Sequence, residues 1–223
     1  WPQLRLHKQI KNVNLFDTET YYTLSVLESI PGWKHSGFCN KNSRGFGYWI
    51  WKPFIINNKL SEVSEGDVVM YCDLGCELLV EEKHVLQQLL CSDEHDITLS
   101  IPGTEDIHMP YERDWCKTFT AQRLGASDQH LESWQYQATC MIIKNNAKTR
   151  QFVTKWLNIC EEYKPIDDHH YGKKPYETFK EHRHDQSVLS LLLKQSDLRI
   201  STDVGTGVVM LRNPGGKPLG RWC

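Results

Sequence analysis

The run VVMYCD at 68–73 constrains this chain more than any other stretch. Gly66-Asp67 punctuates it on one side and Gly75 on the other. Its continuous apolar character reads as a strand that delivers Asp73 to the edge of a sheet. The rest of the chain alternates in period around it. Residues 19–27 (ETYYTLSVL) read as a β-rich segment, and 30–47 as a loop holding Pro31, Gly32, Gly37, Gly45 and Gly47. From Tyr48 to Val63 the apolar positions take a helical period. A helix is expected over 82–91 and a strand over 96–101, closed by Pro102-Gly103. Residues 114–124 read as a helix stopped by Gly125, and 134–143 (WQYQATCMII) as a long strand. Asn146 holds the N-cap position of a helix carrying Phe152, Val153, Trp156, Leu157 and Cys160 at helical spacing. A polar loop over 164–180, a helix over 184–194, a short strand over 197–201 and a Gly/Pro-rich tail complete the chain. The alternation implies an α/β layered fold, one domain over 1–223, with a mixed, mainly parallel central sheet flanked by helices. In such sheets ligands collect at the carboxyl ends of strands.

Composition narrows the function. With 223 residues, 39% hydrophobic and 11% aromatic, the chain can bury a full core. A formal net charge of -2 disfavours duplex DNA or RNA as a partner. No run of 18 apolar residues is present, so no membrane span is expected. The chain opens at Trp1 without a signal peptide, which fits a domain cut from a longer protein. Eight cysteines are present, but Cys72, Cys140 and Cys160 sit inside apolar runs and no CxxC pair occurs. They read as reduced packing residues, which points to a cytoplasmic location.

Three constellations carry chemistry. A carboxylate at the end of an apolar strand, Asp73, suits a hard cation that completes its shell from phosphate oxygens; capping of the next turn accounts for it equally well. In SRGFGYWIWKP (43–53), Arg44 and Lys52 bracket Phe46, Tyr48, Trp49 and Trp51. Glycines 45 and 47 permit close backbone approach to a ligand, and an arginine fork suits a diphosphate. Trp49 and Trp51 cannot share one helix face, so one belongs to the core and one nearer the site. In EHRHDQSVLSLL (181–192), Asp185, Gln186 and Ser187 open an amphipathic helix, where a carboxylate is favoured by the macrodipole. A further cluster, IDDHHYG (166–172), reads as a solvated loop rather than a metal site.

Taken in order, GYWIWKPFII, GDVVMYCDLG, YQATCMIIKNN and HRHDQSVLSLL resemble nucleotide-sugar glycosyltransferases of the GT-A fold. Virus-encoded capsid glycosyltransferases and the retaining galactosyltransferase and glycogenin-like enzymes are among them. The resemblance spans roughly residues 44–195 and implies a GT-A-like domain. It makes Asp73 the first carboxylate of an Asp-x-Asp motif that meets Mn²⁺ or Mg²⁺. Lys52 takes the place of the donor-contacting arginine, and Gln137 and Ala138 lie beside the donor sugar. Asp185 binds sugar hydroxyls, and Gln186 lies opposite the leaving diphosphate. The second Asp of the motif is Gly75 here, leaving Glu77 as the substitute ligand; no His follows His184, and residues 1–12 do not read as the family's first strand.

The expected activity is metal-dependent transfer from a UDP-sugar to a glycan or glycoprotein acceptor, with retention. The metal, Lys52 and Arg44 stabilise the leaving diphosphate. Inversion would need a carboxylate base, for which Asp114, Glu112 and Asp185 are the candidates. Tyr111, Trp115 and Trp134 are aromatic faces suited to acceptor sugars. Two alternatives stand beside this one: a non-catalytic carbohydrate-binding module, and a metal-dependent hydrolase built on the His/Asp cluster of 166–185.

Overall fold

The computed structural model describes residues 2–100, 111–202 and 208–210. Strand β1 (Val68–Cys72) forms where the apolar run predicts it. Its entry is set by a tight turn: Gly66 adopts φ +93°, and Asp67 Oδ2 accepts the Ser64 N–H at 2.8 Å. β4 (Cys140–Lys144) lies antiparallel beside it, with Val68 opposite Lys144 and Cys72 opposite Cys140. β3 (Ile97–Leu99) flanks the other side of β4, also antiparallel, and β5 (Ile200–Ser201) adds parallel to β3. The order is β1-β4-β3-β5. β1, β3 and β5 therefore share one direction, and β4 alone runs against them. Because β4 is inserted between β1 and β3, the sheet is mixed and most of its ladder is antiparallel. β2 (Cys76–Leu78) pairs with β6 (Val208–Met210) in a separate ladder.

The helices are α1 (Pro2–Val13), α2 (Leu24–Ser29), α3 (Ser36–Lys41), α4 (Gly45–Tyr48), α5 (Trp51–Glu62), α6 (Lys83–Cys91), α7 (Glu112–Trp115), α8 (Thr118–Arg123), α9 (Asp128–Leu131), α10 (Ala147–Glu161) and α11 (His184–Lys194). β4 shows how they are layered. Met141 and Ile143 join a core with α5, α10 and α11 that includes Ile56, Trp156 and Leu189. Cys140 and Ile142 face the opposite way, into a cluster with Leu6 and Val13 of α1 and Leu86 of α6. That period of two buries the strand on both faces. α10 starts at the expected cap, a reciprocal box in which Asn146 Oδ1 accepts the Thr149 N–H at 2.9 Å and Thr149 Oγ1 accepts the Asn146 N–H at 3.0 Å. Among the described residues no helix is long and apolar enough to cross a membrane.

Several elements differ from the sequence expectation. The β-rich segment 19–27 becomes a coil leading into α2, because Thr23 caps a helix there, its Oγ1 accepting the Val26 N–H at 3.3 Å. Strand propensity without a neighbouring ladder does not make a strand. The loop of 30–47 contains α3 and α4. The helix of 114–124 is split into α7 and α8, since Cys116 and Lys117 are extended. The buried Lys117 ammonium is drawn instead to Asp167 Oδ1, 2.6 Å away. The strand of 134–143 begins only at Cys140. Upstream, the Tyr136 N–H goes to Ser190 Oγ (2.8 Å), that of Gln137 to the Ser100 carbonyl (2.9 Å) and that of Ala138 to Gln186 Oε1 (3.2 Å). Residues 1–12, which did not read as a strand, lie largely within α1. Pro102-Gly103, Cys223 and most of the Gly/Pro-rich tail lie outside the described residues. Of the cysteines, Cys39, Cys76, Cys116, Cys140 and Cys160 are buried as packing residues should be, whereas Cys91 is exposed at the end of α6.

Candidate functional site

The strand-end rule places Asp73 where the chain leaves β1, its N–H donating to the Thr139 carbonyl at 2.9 Å. The reversed strand β4 starts at that same edge, so 138–139 are brought beside Asp73. Lys52, in the first turn of α5, fills the gap between them. Its ammonium donates to the Ala138 carbonyl at 2.9 Å and stands 3.3 Å from Asp73 Oδ1 and 3.9 Å from Asp185 Oδ2. Lys52 is only 3% exposed. A buried ammonium needs such partners to remain charged. The Tyr71 hydroxyl also donates to Asp73 Oδ1.

α11 supplies the facing wall. Burial pushes the Asp185 carboxyl up to about 7; Lys52 works against that shift and Asp73 adds to it. Trp156, fully buried, anchors the backbone below, its indole N–H donating to the Asp185 carbonyl at 3.0 Å. Gln186 is held at both ends: Oε1 accepts the Ala138 N–H, and Nε2 donates to Gln135 Oε1 at 2.7 Å. Gln135 in turn donates to Glu112 Oε2 at 2.8 Å, and Glu112 is paired with Lys194 at 2.8 Å.

Between these walls lies a cleft of about 320 Å³. Arg44 and Arg183 stand on it, both paired to Glu181 at 3.0 Å. Trp49 and Gly75 line it, as do Asp73, Lys52, Asp185 and Gln186. The arrangement is an arginine rim, paired to Glu181 and Asp168, around a buried ammonium with two carboxylates beneath. It is suited to a ligand carrying both negative charge and hydrogen-bond donors.

The residues expected from sequence divide accordingly. Arg44, Lys52, Asp73, Asp185 and Gln186 come together. Ala138 is present through its backbone, whose N–H and carbonyl are taken by Gln186 and Lys52. Gln137 does not line the cleft: its side chain accepts the Ser100 hydroxyl at 2.9 Å. Glu77 does not reach it either. It sits in β2, two residues past the Leu74–Gly75 turn, and accepts from Gln9 of α1 at 3.0 Å. Tyr111 and Trp134 pair with each other through a single antiparallel bridge, off the cleft lining. Trp115 touches it indirectly, through the Arg183 guanidinium 4.1 Å from its ring centre. Of the candidate bases, Glu112 is fully buried in its network and Asp114 is taken by the Thr178 hydroxyl, leaving Asp185 on the cleft. In the 166–172 cluster, Asp167 is taken by Lys117, the His169 N–H and the Tyr171 hydroxyl. Gly45 and Gly47 approach protein rather than ligand. A Cβ on Gly45 would stand 2.3 Å from the Trp49 ring, and one on Gly47 2.5 Å from Cys39 Sγ. Trp49 lines the cleft while Trp51 packs on the core, the division their spacing predicts. Thr139, Arg183 and His184 line the cleft without having been expected. The His-Arg-His run before Asp185 was the available signal for the last two.

The donor set limits what cation can be held. Among the described residues no three His, Cys, Asp or Glu side chains are placed to hold a metal ion together. Asp73 keeps one oxygen clear of Lys52 and Tyr71, so it fits a cation that takes a single protein carboxylate and brings phosphate oxygens with it.

Fold and cleft define an α/β protein with a lysine- and arginine-bearing cleft at the edge of a mixed sheet. No family model and no curated protein matches the chain. Among solved structures, the apo form of mouse xyloside xylosyltransferase 1 is similar at TM-score 0.38 and 9% identity, over 89% of this chain. The chain spans 59% of that neighbour's length. A likeness of this extent leaves the function to be argued from the cleft.

Proposed function

We propose that the chain is a glycosyltransferase that binds a nucleoside-diphosphate sugar, UDP-linked, in this cleft and passes the sugar to a glycan or glycoprotein. The observation that carries the reading is the buried Lys52 between Asp73 and Asp185, under the Arg44/Arg183 rim. A diphosphate seated there replaces carboxylate partners of Lys52 with phosphate oxygens. As the glycosidic bond breaks, charge builds on the leaving diphosphate, and fixed cations in a partly dry site stabilise it without reorganising. Asp73 is the residue to hold Mn²⁺ or Mg²⁺, whose contribution is to neutralise the diphosphate. Gln186 lines the cleft next to Asp185, and retention is favoured because this Asp-Gln pair at the start of α11 resembles that of retaining enzymes. Of the three aromatics expected to meet an acceptor, Trp115, behind Arg183, lies nearest the cleft.

Calorimetry with UDP, with and without Mn²⁺, tests the reading. Native protein should bind UDP, more tightly with the metal. Asp73→Ala should erase the Mn²⁺-dependent part, and Lys52→Met should weaken UDP binding about tenfold or more, the cost of one charge-assisted contact. Gln186→Ala should lower turnover of a UDP-sugar more than its affinity. Absence of UDP binding in both conditions would sink the proposal.

A further inference from the structure

Three residues other than glycine with left-handed backbone meet at one wall of the cleft: Tyr48 (φ 54°), Trp49 (φ 61°) and His184 (φ 53°). Their rings are stacked, with His184 4.8 Å from Tyr48 and 5.4 Å from Trp49 between centroids. Left-handed backbone strains any residue with a Cβ, and strain concentrated at a cleft marks a position held for a purpose.

The His184 ring is 2% exposed and its tautomer is fixed. Nδ1 stands 2.7 Å from the Ile166 carbonyl, which can only accept, so Nδ1 carries the hydrogen. Burial holds the imidazole pKa down at about 4, leaving the ring neutral at physiological pH. Nε2 therefore presents a lone pair, and among the described residues nothing donates to it. The nearest carboxylate, Asp168, is 3.8 Å away, beyond hydrogen-bond reach. The next residue repeats the situation: Asp185 Oδ2 is buried without a hydrogen-bond partner. Both residues line the cleft. His184 Nε2 can only accept, and Asp185 Oδ2 accepts once its carboxyl is ionised, so the pair calls for a ligand group that brings hydrogens, which the oxygens of an ionised diphosphate do not.

We infer that His184 Nε2 accepts a hydrogen bond from a hydroxyl of the donor's sugar, beside Asp185 Oδ2, and so determines which sugar is bound. The inference rests on the nucleotide-sugar reading above. It divides the cleft into a cationic part for the diphosphate and an acceptor part, Asp185 and His184, for the sugar.

The test compares UDP with UDP-glucose, UDP-galactose and UDP-xylose by calorimetry, on native protein and on His184→Phe, which keeps the aromatic stack and removes Nε2. Native protein should bind at least one UDP-sugar more tightly than UDP. His184→Phe should lose about tenfold in affinity for that sugar nucleotide, the worth of one hydrogen bond to a buried partner, with UDP affinity unchanged. In parallel, the ¹⁵N signal of His184 Nε2 in native protein should move on adding the UDP-sugar and stay fixed with UDP or Mn²⁺ alone. That second readout decides the matter if the variant does not fold. An unchanged preference for the sugar nucleotide in His184→Phe, a static Nε2 signal, or a signal that moves with Mn²⁺ alone overturns the inference while UDP binding by native protein keeps the functional reading. Native protein that binds neither UDP nor any of the sugars overturns both.

Discussion

At the residue scale the cleft is a contest over one buried ammonium. Lys52 has two carboxylates within 3.9 Å and a carbonyl at 2.9 Å, and Asp185 lies where burial disfavours its charge. Its pKa of about 7 stands above the ordinary value near 4 for aspartate. The folded protein therefore holds a proton on Asp185 that the unfolded chain has released between pH 4 and 7. Stability falls as pH rises through that window, and the full penalty is present above it. Asp185→Asn removes the titration and should raise stability at pH 8 by up to about 4 kcal/mol, with the gain vanishing near pH 4. Urea unfolding at both pH values checks this; a gain independent of pH would place the Asp185 proton elsewhere.

At the scale of the element, the corner that brings Trp49 to the cleft is short and held by backbone geometry. α4 is hardly a helix: Phe46 and Gly47 depart from helical angles inside it, and Trp49 ends it in the left-handed region. This kink turns the Trp49 ring to the cleft and leaves Trp51 to donate its indole N–H to the Gly45 carbonyl at 3.0 Å. Gly45 has φ +56° with the Trp49 ring packed where a Cβ would be. Gly45→Ala should cost about 1–2 kcal/mol in backbone strain and push the ring aside. Loss of UDP-sugar affinity beyond what the stability change explains would follow. A variant with native stability and native affinity would show that the corner does not shape the site.

At the scale of the whole molecule, the core and the cleft are one structure. Trp156 of α10 lies in the core with α5 and the sheet, yet its indole N–H supports the Asp185 carbonyl across to α11. Trp156→Phe keeps an aromatic ring but leaves a gap and removes that donor. It should destabilise the protein by about 2–3 kcal/mol. Turnover should fall as well under conditions where the variant is fully folded, because Asp185 and Gln186 are set by the backbone it supports. Chemical denaturation together with rates at low temperature separates the two effects; a loss of stability with unchanged turnover would mean that α11 holds its own position.

What the sequence determined by itself was local and periodic. The apolar run of β1 with Asp73 at its end, the Asn146 cap, the stripe of α10 and the start of α11 were all legible, because each depends on neighbours within a turn or a pleat. The gathering of Arg44, Lys52, Asp73, Asp185 and Gln186 was legible as far as motif order allowed. Tertiary structure decided the rest. The reversal of β4 brings the Ala138 backbone to Lys52, and the 134–139 segment leaves the ladder because its N–H groups find Ser190, Ser100 and Gln186. Glu77 and Gln137 carried suitable groups but turn to Gln9 and Ser100. His184 enters the cleft through a left-handed backbone and a carbonyl 18 positions away, at Ile166, that fixes its tautomer. Partners so distant along the chain leave no periodic trace, since a side chain's direction is set by which neighbour folding brings within hydrogen-bond reach.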